Sequence, residues 1–112
     1  MKLSDIDIEH LNDARKLIDK DVSRHYTIYE IARQVGLSES RLTRGFKLLH
    51  KVGLFEYLET ARLEKGKYLI ENTDKKLKEI SHSLGYRYRN SFSQAFKKRF
   101  GKPPGSWRKN LL

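Results

Sequence analysis

The chain spells one phrase twice. EIARQVGLSESRLTRGFK occupies residues 30–47, and EISHSLGYRYRNSFSQAFK occupies residues 79–97. At an offset of 49, Ile28, Glu30, Ile31, Val35 and Gly36 align with Leu77, Glu79, Ile80, Leu84 and Gly85, and Leu37 falls on Tyr86. Past the turn the offset becomes 50, and Leu42, Phe46 and Lys47 align with Phe92, Phe96 and Lys97. The second copy thus has one extra residue in its turn. Each copy reads as a short helix, a tight glycine turn and a longer helix, which confines the chain to an all-α architecture built from two similar pieces.

Helix signals continue outside the repeat. A first helix is expected after Ser4, with Leu11, Ala14, Leu17 and Ile18 at helical spacing, fading between Lys20 and Ser23. Thr27-Ile28-Tyr29-Glu30 predicts a capping box, in which Thr27 accepts from the Glu30 amide and Glu30 reaches back. Gly36 ends that helix, and Ser38 caps the next one. A long helix is expected from Leu54 to about Glu71 or Asn72, with Phe55, Leu58, Ala61, Arg62, Leu69 and Ile70 along its apolar side. Gly66 inside it costs roughly 1 kcal/mol relative to alanine, so either close packing requires a small residue there or the helix is weaker at that point. Asn72-Thr73-Asp74 is turn chemistry. Gly85 stops the next helix, and Phe92, Phe96 and Phe100 line the one after it. Gly101 and Pro103-Pro104 end that helix before a last short one holding Trp107 and Leu111. The expected fold is all-α with about seven helices: a first helix-turn-helix subdomain over residues 1–53, a linker helix over 54–72 and a second subdomain over 73–112.

Charge narrows the partners. Twenty-four Lys and Arg oppose fourteen Asp and Glu, a net charge of +10. Acids crowd between Asp5 and Asp21, whereas residues 87–109 contain none. A compact basic chain of this kind favours polyanions, nucleic acid first and anionic membrane second. There is no cysteine, which excludes disulfides and thiolate metal sites. No apolar run approaches membrane-spanning length, and MKLSDIDIEH lacks the apolar stretch of a signal peptide, so the expected location is the cytoplasm, with no membrane partner.

In a helix-turn-helix the second helix lies in the DNA major groove. On a helical projection Ser40, Thr43, Arg44 and Lys47 share an arc of roughly 100°, and Leu42, Phe46 and Leu49 lie opposite. Asn90, Ser93, Gln94 and Lys97 share the matching arc of the second copy. Arginine can fork onto guanine, Asn or Gln onto adenine, and a threonine methyl can touch a thymine methyl. The candidate base readers are Ser40, Arg41, Thr43, Arg44, Arg89, Asn90, Ser93 and Gln94, within recognition helices of about 39–50 and 89–100. The candidate phosphate contacts are Thr27, Ser38, Lys47, Arg87, Lys97, Lys98 and Arg108. A linker of about 18 residues would run ~27 Å, a strut able to set two readers in successive major grooves.

These residues carry a family resemblance. Ile31-Ala32, Gly36-Leu37-Ser38 and residues 42–47 (LTRGFK) resemble the DNA-binding domain of the AraC/XylS family of bacterial transcription regulators, as do Phe55-Glu56-Tyr57-Leu58 and Arg62-Leu63-Glu64-Lys65. Leu84-Gly85-Tyr86, Phe92-Ser93, residues 96–101 (FKKRFG), Pro103-Pro104 and Trp107-Arg108 resemble its signature at matching spacing. One extra residue between Phe46 and Phe55 is similar to the siderophore-responsive subgroup. The resemblance implies promoter binding, usually activation through RNA polymerase, and a separate sensing or dimerising domain that these residues do not include. It also implies that the first unit is the more sequence-specific reader. Gln94 stands where the family usually has arginine, and Arg87 and Tyr88 where it usually has a small polar cap.

Other readings make different demands. His10, His25, His50 and His82 form no metal-ligand pair on one helical face, Asp5 and Asp7 sit at a helix start that favours acids, and there is no glycine-rich phosphate loop. The expectation is therefore no enzyme, no cofactor and no metal. The alternatives are a helical module that binds nucleic acid without sequence preference, or one that binds protein through Tyr86, Tyr88, Phe92 and Trp107.

Overall fold

The computed structural model describes residues 1–112 as seven helices with no strand. Two compact units divide the chain, Met1–Glu59 and Thr60–Leu112. The division falls within one long helix.

The first unit contains α1 (Asp5–Lys20), α2 (Ile28–Val35), α3 (Glu39–His50) and the start of α4 (Leu54–Asn72). Ser4 and Asp7 form a reciprocal capping box on α1, each accepting from the other's backbone N–H at 3.1 Å. At α2 only half of the expected box exists. Thr27 accepts from the Glu30 N–H at 3.1 Å, while Glu30 is exposed and does not return the bond. Gly36 closes α2 at φ 78°, a left-handed conformation that glycine adopts without a Cβ clash. Ser38 then caps α3 by accepting from the Arg41 N–H at 3.1 Å. Leu11, Ala14 and Ile18 of α1 are buried, as are Ile31, Ala32 and Val35 of α2 and Leu42 and Phe46 of α3. Each large side chain in that set contributes about 1.5–3 kcal/mol by leaving water. The helical face predicted for α3 is thus the face it buries.

Leu54 and Leu58 at the start of α4 are also buried in this unit. The Tyr57 hydroxyl donates to Asp19 Oδ1 at 2.7 Å. Burial first and that acidic partner second push the Tyr57 phenol up to about 12. The His50 ring lies against Phe46, tilted by 53° with 4.4 Å between centroids, and burial, reinforced by Arg15, lowers its pKa. The lowered value sets the sign of a pH effect. The unfolded chain takes up a proton near His50's ordinary value of about 6.5, before the folded protein does. Stability from this site is therefore complete above that value and is lost as pH falls through the depressed folded pKa. Hydrogen exchange of the first unit should show weaker protection at pH 5 than at pH 7.5, and His50→Phe should flatten the difference. An unchanged pH dependence in that variant would remove His50 as its source.

The second unit contains the rest of α4, α5 (Leu77–Ser83), α6 (Arg89–Phe100) and α7 (Pro104–Lys109). Leu63, Ile70, Ile80, Leu84, Phe92 and Phe96 are its buried core. Gly66 is there for space: a Cβ would lie 2.9 Å from Leu84 Cδ1 and 3.0 Å from Phe92 Cε1. The close-packing explanation of this glycine is the correct one. The α4 stripe differs from expectation at two positions. Phe55, in the first unit, is exposed, and Leu63, in the second, is buried in the core of its own unit. Leu111 also departs from expectation, lying beyond α7 and exposed, since the helix ends at Lys109. Trp107 packs edge-on to Phe96 at 5.9 Å and tilted to Phe100 at 5.8 Å, and Lys67 lies over both the Phe100 and Trp107 rings. The turn between α5 and α6, residues 84–88, has Gly85 at φ 95° and is longer than its counterpart, residues 36–38, by the residue that the changed offset required and by Leu84, which lies beyond the end of α5 while its counterpart Val35 closes α2.

Candidate nucleic-acid interface

Each unit presents the outer face of the helix that follows its glycine turn. On α3 Ser40, Thr43, Arg44 and Lys47 are exposed, and none of the three polar heads of Ser40, Arg44 and Lys47 takes part in a hydrogen bond or ion pair seen within the unit. The Thr43 hydroxyl donates to the Glu39 carbonyl at 2.8 Å, so the methyl is the group this side chain offers outward. Arg44 and Lys47 line an open groove with Leu48 and Lys51. Beneath this face, Leu42 and Phe46 are fully buried and hold the helix to its unit.

On α6 Arg89, Asn90, Gln94, Lys97 and Lys98 are exposed and Ser93 is half-buried. Its first turn has no acid, and its last turn has Lys97, Lys98 and Arg99. Tyr88 occupies the N-cap without a side-chain hydrogen bond, whereas Ser38 caps α3. Arg87 is exposed in the turn ahead of it. Arg99 is drawn aside into an ion pair with Glu64 at 3.1 Å.

Besides Thr43, four candidates already have structural partners. Thr27 and Ser38 accept from helix amides, which leaves each hydroxyl proton free to donate to a phosphate. Arg41 Nη1 donates to Asp7 Oδ2 at 2.7 Å. The Asp7 carboxyl is lowered below its usual range, first by the Ser4 backbone N–H and also by the Ser4 hydroxyl and Arg41. Arg108 points into its own unit. Its guanidinium donates to the carbonyls of Ile70, Thr73 and Lys75 at 3.3, 3.1 and 2.6 Å. Sequence reading missed both long-range partnerships. Only the Ser-x-x-Asp spacing of the α1 cap hinted at a constrained Asp7, and nothing local marked the carbonyls that Arg108 meets.

No group of three or more His, Asp or Glu is placed to hold a metal ion. No helix is long and apolar enough to cross a membrane.

A helix-turn-helix domain family matches residues 31–110. The Msm operon regulatory protein of Streptococcus mutans is 32% identical over 102 residues, 91% of this chain and 37% of that protein. The chain thus spans little more than a third of that relative. Among solved structures, the C-terminal domain of AraT, a response regulator from Geobacillus stearothermophilus, superposes with a TM-score of 0.85 at 30% identity, covering 98% of this chain and 88% of that one. The DNA-binding domain of AdpA, a global transcriptional factor solved in complex with a target DNA, gives 0.83 at 19% identity over 89% and 90% of the two chains. At that identity the likeness concerns the fold.

Proposed function

The chain belongs to the AraC/XylS family of helix-turn-helix DNA-binding domains, and from that premise we propose that it is the sequence-specific, double-stranded-DNA-binding domain of a transcription regulator. The observation that carries this reading is the pairing of faces on α3 and α6. Each helix buries its aromatic side, follows a glycine turn, and leaves a polar side of base-reading residue types exposed. A net charge of +10 supplies the attraction to phosphate.

In this reading Ser40, Thr43 and Arg44 meet base edges through α3, and Asn90, Ser93 and Gln94 through α6, where the amides favour adenine. Lys47, Lys97 and Lys98 grip phosphates, with Thr27, Ser38 and Arg87 beside them. We assign Arg41 and Arg108, on their partners within the units, to holding the fold. The activation through RNA polymerase that the family resemblance implies supports that enzyme as a second partner.

Selection of tight binders from random duplex DNA tests the reading, and one or two enriched blocks are expected. A folded protein that enriches nothing points to non-specific binding or to a protein partner. Arg44→Ala should cost about 1–3 kcal/mol on the selected site and relax the choice of one base pair, whereas Lys47→Ala should weaken all duplexes alike and lower the salt slope by about one. An unchanged preferred site in Arg44→Ala would remove it from the readers.

A further inference from the structure

We propose that Asp7 is a positioning residue for DNA reading: by gripping Arg41 it sets the angle at which α3 presents Ser40, Thr43 and Arg44. The inference rests on the assignment of α3 as a reading helix.

Two kinds of contact join α1 to α3. The first is apolar. Leu42 and Phe46 are buried in the same core as Leu11, and at Gly45 the α3 backbone comes so near that a Cβ would meet Leu11 Cδ1 at 3.0 Å. Such contacts fix the distance between helices, but burial is non-directional and resists rolling of a helix about its axis less strongly. The second is the ion pair between Arg41 Nη1 and Asp7 Oδ2 at 2.7 Å. A charge-assisted hydrogen bond is short and directional, so it opposes roll.

The two ends of the pair are unequally anchored. Asp7 has only 13% of its side chain exposed, and the oxygen that holds Arg41 also accepts from the Ser4 N–H at 3.1 Å. The carboxylate is thereby fixed to the frame of α1 before it meets α3. The Arg41 side chain is 44% exposed and lies on the flank of the reading face, about 60° around the helix from Arg44. A constraint at that flank acts on a surface that must be placed within about 0.5 Å and 10–20° to recognise a partner with precision.

A stability role and a positioning role separate in one set of variants of the full chain. The readout is the ratio of affinity for the selected duplex to affinity for random-sequence duplex, measured on titrated, folded protein at one salt concentration. Asp7→Asn keeps the shape but weakens the grip on Arg41, and should lower the ratio about tenfold, chiefly by weakening the selected duplex. Arg41→Met should do the same, and the double variant should be no worse than either single one, because both break a single link. Asp7→Glu, which retains the charge at a capping-box position, should restore most of the ratio. Ser4→Ala removes a cap and should lower the melting temperature while leaving the ratio within about twofold. An unchanged ratio in Asp7→Asn, or an equal fall in Ser4→Ala, overturns the proposal. A wild-type protein with no preference between the two duplexes overturns the DNA-reading assignment itself, and the positioning role with it.

Discussion

Phe92→Ala is expected to remove about 3–5 kcal/mol from the stability of the second unit. Phe92 is fully buried, and its ring lies 5.4 Å from Tyr86 and 5.7 Å from Phe96 between centroids. It also fills the space that Gly66 leaves open on α4, where Phe92 Cε1 would be 3.0 Å from an added Cβ. Truncation removes the transfer free energy of the ring and leaves a cavity that α4 and α6 can close only by moving. Marginal stability makes a loss of this size a large share of the total for a small unit. Trp107 is the only tryptophan and packs on Phe96, so its fluorescence reports this unit during urea unfolding. A loss below about 1 kcal/mol would show that the core closes over the gap, contrary to the packing at Gly66.

Arg108→Ala is expected to cost about 3 kcal/mol, by leaving three carbonyls without the cation that now serves them. The C-terminal turn of α4 contains no basic residue of its own. Arg108 compensates from α7, reaching the Ile70, Thr73 and Lys75 carbonyls with Nε, Nη2 and Nη1. A cation at a helix C-terminus is favoured by the dipole, and the planar guanidinium serves several acceptors at once. Arg108→Lys keeps the charge without the fork and should recover only part of the loss. Under folded conditions the salt slope of DNA binding should not change in Arg108→Ala, whereas Lys97→Ala should lower it by about one. A lowered slope at unchanged stability in Arg108→Ala would instead place Arg108 on a phosphate.

The legible parts of the fold are those governed by neighbours in sequence. Gly36 closes α2 by local backbone conformation and Ser38 opens α3 by local hydrogen bonding, so their roles can be read from the order of residues alone. The faces of α3 and α6 are equally local, because helical period assigns Leu42 and Phe46 to one side and Arg44 and Lys47 to the other. Phe55 and Leu63 escaped this logic. The two parts of α4 belong to different units, and nothing in the local sequence marks where one unit gives way to the next, so period alone could not say that Phe55 is exposed and Leu63 buried. The candidate site divides in the same way. Arg44 and Arg41 lie three residues apart in one helix and have the same chemistry. Only the second meets a carboxylate from α1.

The repeat, the glycine turns and the charge balance therefore determined the helical plan, the two presented helices and the preference for a polyanion. Those properties depend on residues a few positions apart, or on sums over the chain. Tertiary structure alone decided that Gly66 makes room for Phe92, that Asp7 engages Arg41 and that Arg108 completes the end of α4. Each of these joins residues more than two dozen positions apart, and such a partner is chosen by how helices pack rather than by the sequence around either member.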